Sequence, residues 1–319
     1  MTPLMHVVRA EAFKVAKKKR IYVLAALYWV VLPVLALIIG RLLHTNLADS
    51  FANEVGSIDQ ILQALFSPFG LATISLMAPS FVSPSLYMVA VVLLAALLIG
   101  DERSQNMWKT VLVVQPNRVA VMAGKIVVAM GALLFLMVGA FLSSLVFGTL
   151  GTSFLPTTFQ GDWANLAWLY LVQWLFLLAP VVLAFLLVFL VKSGVLGVVM
   201  VLFLPGLIEG IYTVLNSLLQ LQPLNRINAI FQALRIQQAW QDAPRYFFTA
   251  NLYAPARSPG ADLVAEIASE AGANGAEFQG LEGLLGLGLG IPHSAAVIAG
   301  YALVFGALLF WAFLRRDID

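Results

Sequence analysis

Residues 21–43 read IYVLAALYWVVLPVLALIIGRLL, an apolar run in which the only charged residue is Arg41. A helix needs about 20 apolar residues to cross the roughly 30 Å apolar core of a bilayer, whereas the core of a cleavable signal peptide has about 7 to 15. The run therefore predicts a first membrane-spanning helix that is not removed, with a kink at Pro33.

The composition of the whole chain agrees with this first helix. Apolar residues make up 61% of the sequence and charged residues 11%, against about 45–50% and about 25% in soluble domains. The absence of cysteine excludes disulfides, thiolate catalysis and cysteine-based metal sites. A net charge of +2 gives no reason to expect a nucleic acid partner. The predicted fold class is an all-α polytopic membrane protein.

Five further spans are predicted at 81–99, 120–150, 166–191, 194–218 and 293–314, which makes six in total. The apolar stretch 61–79 is ambiguous because Pro68 and Pro79 interrupt it. If it were another span, the basic residues from Arg103 to Lys125 would lie outside, against the preference of Lys and Arg for the cytoplasmic side. We therefore expect 61–79 to be interfacial or re-entrant.

The distribution of Lys and Arg predicts the orientation. This topology puts 13 of the 18 Lys and Arg residues, including every lysine, on the cytoplasmic side. The loop 151–165 contains neither residue type, as expected of an external loop. The sequence thus predicts a multi-pass protein of the cytoplasmic (inner) membrane with both termini in the cytoplasm.

Four regions follow from these assignments. Residues 1–20 predict an amphipathic interfacial helix whose basic face meets anionic lipid headgroups, although an ordinary basic flank of the first span fits equally well. Residues 21–218 contain the first five spans, with a break or bend expected at Pro205 and Gly206. Residues 219–291 are rich in polar and acidic residues and predict a small extracytoplasmic domain. Residues 292–319 form the last span and a cytoplasmic tail.

Catalytic motifs are sparse. The three histidines share no metal-ligand spacing, and the sequence has no phosphate-binding loop, so the chain is not expected to hydrolyse ATP or to be an enzyme. Glu209 lies inside the fifth predicted span, where a carboxylate is costly and suggests a substrate pathway. The alternative, which we favour, is a position near the outer end of the helix, in contact with water or a backbone donor.

The most informative stretch is residues 100–125, GDERSQNMWKTVLVVQPNRVAVMAGK. It carries both signs of charge and too few apolar residues to cross a membrane, so it predicts a short cytoplasmic helix between two spans, over 101–118. Such a helix is placed where a soluble motor can push it. An ordinary stop-transfer loop has the same pattern.

Three short stretches resemble the type-2 exporter permeases of the ATP-binding cassette (ABC) transporters. Glu11 and Lys14 match the amphipathic helix that precedes the first span in that family, and residues 314–318 are similar to its ending. The loop after the second span is similar at Glu102, Asn106, Thr110, Leu112, Pro116, Arg118 and Lys125. Asn106 departs from the family pattern, which has glycine there.

The resemblance implies the membrane-spanning permease of an ABC exporter, working as a homodimer or a heterodimer. Separate ABC ATPase subunits would hold ATP and magnesium, and this chain would bind no cofactor. The resemblance assigns coupling to the ATPase to Glu102, Asn106, Thr110, Pro116 and Arg118. An ion-coupled secondary transporter, an intramembrane enzyme and a membrane scaffold are the competing hypotheses, and only the first two would require further charged groups within the spans.

Overall fold

The computed structural model describes residues 3–47, 63, 65–81, 84–104, 113, 117–191, 194–219, 237–259 and 290–315. Within these ranges the chain is helical apart from short turns and one loop, and it contains no strand there. The predicted all-α fold class is confirmed.

The helices divide the chain in the order expected from its apolar runs. They are α1 (Pro3–Lys17), α2 (Lys19–Ala26), α3 (Leu32–Leu47), α4 (Pro68–Phe81), α5 (Leu86–Ala95), α6 (Asp101–Ser104), α7 (Arg118–Gly151), α8 (Trp163–Phe176), α9 (Leu178–Leu190), α10 (Gly194–Leu219), α11 (Gln237–Asp242), α12 (Phe248–Leu252) and α13 (Ile291–Arg315). Residues 254–259 are also helical. A π-helical turn joins α2 to α3, and a second one follows α5.

Five segments of the described chain are long and apolar enough to cross a membrane without a break. They are Lys19–Thr45, Arg118–Gly151, Trp163–Leu190, Val195–Leu219 and Ile291–Arg315. A sixth arises only if α4 and the helix Leu86–Gly100 are counted together, and the two are bent by 70°. The structure thus has five or six candidate spans, in agreement with the six predicted.

Pro33 was predicted to kink the first span, and the structure has a π-helical turn just before it. The chain remains helical through Pro33, but the turn before it, Leu27–Val31, is π-helical. The backbone N–H of Leu32 donates to the carbonyl of Leu27, five residues earlier. Proline lacks an N–H and crowds the carbonyl four residues before it, so a widened turn relieves the clash without ending the helix.

The apolar segment before the predicted second span packs inside the bundle. Helix α4, predicted to be interfacial or re-entrant, is largely buried against the C-terminal half of α7. A Cβ atom added to Gly148 would lie 2.4 Å from the Cα of Pro68, and the hydroxyls of Ser75 and Ser144 are 2.6 Å apart. Small residues and hydroxyl pairs of this kind let helix backbones approach closely in membranes. The geometry fits a bent span or a re-entrant loop, and the position of this segment in the membrane stays a prediction.

The two ends of the bundle are defined by contacts distant in sequence. At one end, α1, the start of α7 and the end of α13 lie together, since Arg118 donates to the carbonyl of Leu314 at 3.3 Å. We call this end the α1 face. At the opposite face, Arg41 donates to the carbonyl of Phe154 at 3.1 Å. The predicted topology requires this separation of the two sets of residues.

The segment Trp163–Leu190 is the most buried span, and α10 and α13 are the least buried. Helix α10 continues through Pro205 and Gly206, so of the break or bend predicted there the break is absent. Proline and glycine are tolerated in membrane helices more readily than in soluble ones.

The described part of the predicted external domain, 237–259, packs into the bundle. Gln173 in α8 has no exposed surface, donates to the carbonyl of Leu252 and accepts from the N–H of Ala256, both at 3.1 Å. Tyr253 shares a hydrogen bond with Ser85 at the start of α5. Residues 220–236 and 260–289 lie outside the described residues, and an extracytoplasmic domain over 219–291 stays a prediction.

Candidate functional site

Four charged side chains from three parts of the sequence meet at the α1 face. Glu11 and Lys14 come from α1, Glu102 from α6 and Lys125 from the second turn of α7. The ammonium group of Lys125 lies 2.9 Å from Glu11 Oε1 and 2.8 Å from Glu102 Oε2. Lys14 Nζ bonds to Glu11 Oε1 at 3.0 Å and also bonds to Glu102 Oε1. We call these residues the charge cluster.

Lys125 is the centre of the charge cluster and has no exposed surface. Its ammonium group also donates to the backbone carbonyl of Leu98 at 2.7 Å. Leu98 belongs to the π-helical turn Ala96–Gly100, and such turns are common at functional sites. The contacts with Glu11 and Leu98 are hydrogen bonds, and the contact with Glu102 is an ion pair.

The charge cluster is electrically balanced, with two carboxylates and two ammonium groups. Burying one unpaired ion costs several kcal/mol even after relaxation, whereas a paired group with good hydrogen bonds recovers much of that cost. Glu11 and Glu102 are both buried. Loss of Lys125 would therefore leave both buried carboxylates with Lys14 as their only partner in the cluster.

Lys14 is the partly exposed member of the charge cluster, with 44% of its side chain accessible. Burial alone would lower its pKa. The hydrogen bond and charge of Glu102, and then those of Glu11, outweigh that effect and raise the pKa above the ordinary value of 10.5. Lys14 therefore stays charged at physiological pH. It lies on the solvent-exposed side of the charge cluster.

A second ion pair lies beside the charge cluster. Lys18, at the bend between α1 and α2, is 2.9 Å from Asp101. Both groups are partly exposed, so the pair contributes at most about 1 kcal/mol. It joins the same two elements, because Asp101 directly precedes Glu102.

Apolar packing brings α1 close enough for the charge cluster to form. A Cβ atom added to Gly124 would lie 2.6 Å from Cγ1 of Val7, so only glycine fits this contact without a shift. Val7, Glu11 and Val15 follow one another at intervals of four residues, which places them on one face of the helix. All three are buried. The sequence provides a signal for this contact in the adjacent Gly124 and Lys125, but it does not say what approaches them.

Arg118 is not part of the charge cluster. Its guanidinium donates to the carbonyls of Phe313 and Leu314, at 3.4 and 3.3 Å, in the last turn of α13. The final carbonyls of a helix have no partner within it, so a basic side chain stabilises them. Asn117 caps the start of α7 by accepting from the N–H of Ala120 at 3.0 Å. Arg118 thus fixes the beginning of the third span against the end of the sixth, and Asn117 caps the helix that starts there.

The remaining residues predicted to couple, Asn106, Thr110 and Pro116, lie outside the described residues. Between Ser104 and Asn117 the structure describes Val113 alone, and 83% of its surface is exposed. Both ends of this loop are therefore defined, at Glu102 by the charge cluster and at Arg118 by the end of α13.

Glu209 occupies a separate site near the other end of the molecule. One of its oxygens accepts from the backbone N–H of Thr249 at 2.8 Å, and the other accepts from the Thr249 hydroxyl. Thr249 lies in the first turn of α12, where backbone N–H groups have no partner within the helix. The geometry matches the interpretation in which Glu209 satisfies a backbone donor.

A comparison with known protein families identifies the family. The sequence model of the family described as ABC-2 family transporter protein matches residues 7–206, which is more than half of the 319-residue chain. The chain belongs to the ABC-2 transporter family. No curated protein and no solved structure matches it. The resemblance drawn from the motifs is thereby confirmed.

Family membership makes the chain the membrane component of an ABC transporter. All four residues of the charge cluster fall within the matched segment, as does Arg118. Glu209, the segment 237–259 and α13 fall after it. The charge cluster is therefore the site to which the family assignment applies directly.

Proposed function

We propose that this chain is the permease subunit of an ABC exporter of the cytoplasmic membrane. Separate ABC ATPase subunits bind ATP and magnesium and supply the energy. Two permease subunits, identical or different, form the transmembrane dimer. Both termini and the loop 101–118 face the cytoplasm, where the ATPase subunits contact the loop.

The observation that carries this proposal is the fixation of both ends of the loop 101–118. At the first end, Glu102 pairs with Lys125 of the third span and with Lys14 of α1. At the second end, Arg118 bonds to the last turn of α13. A force applied to the loop is therefore delivered at once to α1, to the second and third spans and to the sixth.

The charge cluster suits this transmission because its contacts are short, charged and mutually dependent. Separating two partners would leave a buried charge with less compensation, which is costly. We therefore expect α1, α6 and α7 to move as one unit. Domain rotations of ATP-driven machines require such rigid connections between the driven element and the moving parts. No reactive group is needed in this chain for that role.

Co-purification tests the ATPase partnership. The tagged chain is expected to bring a soluble ABC ATPase with it from its native membranes, and the complex is expected to hydrolyse ATP. Val113→Glu should weaken this association, because it puts a charge on an exposed apolar residue of the loop. Gln160→Glu, an exposed change beyond the end of α7, is the matched control. Recovery of the chain without any ATPase would contradict the proposal.

Labelling of single cysteines tests the orientation, and the chain has no cysteine of its own. A membrane-impermeant maleimide is expected to label Gln160→Cys in intact cells and Val113→Cys only after permeabilisation. The opposite pattern would put the loop outside, away from any ATP-driven partner.

A further inference from the structure

Helix α1 has a second surface, on the side turned away from the bundle. Val7, Glu11 and Val15 face inward, and the positions two residues after each of them carry Arg9, Phe13 and Lys17. A step of two residues in a helix turns the side chain by about 200°, so these three residues form an outward stripe. All three are exposed, with 65% of the Phe13 surface accessible.

The outward stripe combines positive charge with an exposed aromatic ring. Lys17 Nζ lies 5.4 Å from the centre of the Phe13 ring. Lys19 and Arg20 continue the exposed positive charge beyond the end of α1. Within the described residues, Arg9, Lys17, Lys19 and Arg20 form no ion pair with a carboxylate, whereas the neighbouring Lys14 and Lys18 do.

The stripe is continuous with the lipid-facing surface of the first span. The hydroxyl of Tyr22 donates to the carbonyl of Ala16 at 2.7 Å, so its ring lies along the end of α1. Tyr22 and the next residue, Val23, are 58% and 71% exposed, on a helix that crosses the membrane. The outward side of α1 therefore lies at the level where the span leaves the apolar core for the headgroup region.

We propose that the outward stripe of α1, built on Arg9, Phe13 and Lys17, binds the headgroups of anionic phospholipids. The three observations above meet the requirements of such a site: exposed cations, an aromatic side chain that enters the interface, and contact with lipid along the adjoining span. Exposed Met5 adds apolar surface on the same helix.

Lipid binding at the stripe also bears on the charge cluster. The same helix holds Glu11 and Lys14 toward the bundle, so α1 is fixed on one side by ion pairs and on the other by headgroups. An anionic leaflet thus supports the geometry of the charge cluster. This inference depends on the position of α1 and holds whichever substrate the permease moves.

The purified full chain in a neutral detergent allows a direct binding measurement. Phosphatidylglycerol and phosphatidylcholine, each with a fluorescent acyl chain, are titrated separately. Phosphatidylglycerol is expected to bind at least tenfold more tightly. Lys17→Gln should weaken its binding about fivefold, and the combined change of Arg9, Lys17 and Arg20 to glutamine about 100-fold, since each basic residue near an anionic surface contributes roughly a fivefold factor.

Arg245→Gln is the control. Arg245 is likewise exposed, but its guanidinium pairs with Asp242 at 3.4 Å, and its backbone carbonyl contacts His293 near the start of α13, away from the α1 face. Its replacement should change binding less than twofold. Phe13→Ser should weaken both lipids without altering their ratio, because it removes the apolar part of the contact.

Three outcomes would overturn the proposal. Equal affinities for the two lipids would show that the charge of the headgroup does not affect binding. Equal losses in Lys17→Gln and Arg245→Gln would show only diffuse attraction. A triple variant that keeps its lipid binding but loses a co-purifying ATPase would assign the stripe to a protein partner. An unchanged melting temperature of the triple variant in neutral detergent verifies that it is folded.

Discussion

The carboxylate of Glu102 lies 2.8 Å from the ammonium group of Lys125, and Lys125 has no contact with solvent. Glu102 follows the end of the second span, and Lys125 lies near the start of the third. The ion pair therefore joins the two spans at the ends of the loop that connects them. Buried ion pairs add little net stability by themselves, but they are strongly destabilising when one partner is lost. That asymmetry makes the charge cluster a sensitive point of the permease.

Lys125→Met should lower the free energy of unfolding by about 3–5 kcal/mol, because it leaves Glu11 and Glu102 buried with only Lys14 to compensate them. Denaturation of the purified chain in detergent measures this change. Lys19→Met removes the same charge from an exposed position and should change the value by no more than about 0.5 kcal/mol.

A second substitution in the same background tests whether the effect is due to unpaired charge. Adding Glu102→Gln to Lys125→Met should recover part of the lost stability, since it removes one of the two uncompensated carboxylates. If the two substitutions were simply additive, the loss would have to come from packing instead.

Lys14 predicts a specific alkaline destabilisation. Its pKa is raised in the folded protein, so the folded chain keeps this proton at pH values where the unfolded chain has lost it. The resulting stabilisation is complete below the ordinary value of 10.5 and disappears as the pH rises through the raised pKa. Melting temperatures of the wild type and Lys14→Met should therefore differ at neutral pH and converge above pH 10.5. A constant difference across the alkaline range would mean that the charge of Lys14 is not involved.

Gly124→Ala tests the close approach of α1 to α7. The added methyl group would meet Val7, and overpacking of this kind costs about 1–3 kcal/mol. Gly131→Ala in the same helix is the control, because a Cβ atom there has nothing within 4 Å, and it should be neutral or stabilise by up to about 1 kcal/mol. Val7→Ala combined with Gly124→Ala should restore much of the stability, as measured by thermal unfolding. Equal effects at the two glycines would argue against the contact.

Gln173→Leu should loosen the segment that contains α12. It leaves the carbonyl of Leu252 and the N–H of Ala256 without their partner, and each buried unsatisfied group costs about 1–3 kcal/mol. Labelling of Ala256→Cys by a thiol reagent reports the change, since Ala256 is fully buried in the folded chain. The rate should rise with Gln173→Leu and stay the same with Gln241→Leu, an exposed glutamine. Unchanged labelling in both would show that Gln173 does not hold the segment.

The apolar runs predicted the spans well because a membrane-crossing helix has to satisfy its own backbone and needs a fixed length. The course of the second span was not predictable in the same way. The positive-inside rule reports on which side a loop lies, and it says nothing about the path taken between the sides. Helix α4 is buried because small and hydroxyl-bearing residues let it pack against α7, and only the folded chain brings Ser75 next to Ser144.

The sequence predicted the individual residues of the candidate site, but it did not predict which of them pair with one another. Motifs identified Glu11, Lys14, Glu102 and Lys125, yet their pairing spans 88 residues in one case and 114 in another. Arg118 was assigned to the ATPase contact, and in the structure it bonds to the end of α13. Gln173 carries no sequence signal, because a glutamine within an apolar helix reveals a polar partner only when that partner is known.

The distance along the chain between Glu11 and Lys125 has a consequence for how the protein is made. Helix α1 is synthesised first, but the residue that neutralises its inward carboxylate is translated 114 positions later. Until the third hydrophobic helix enters the bilayer, α1 lacks its packing partner α7, and Lys14 is the only member of the charge cluster that can compensate Glu11 and Glu102. Assembly at this end therefore cannot be completed before Lys125 is made, and chains that terminate before residue 125 should be recognised by the cell as incomplete.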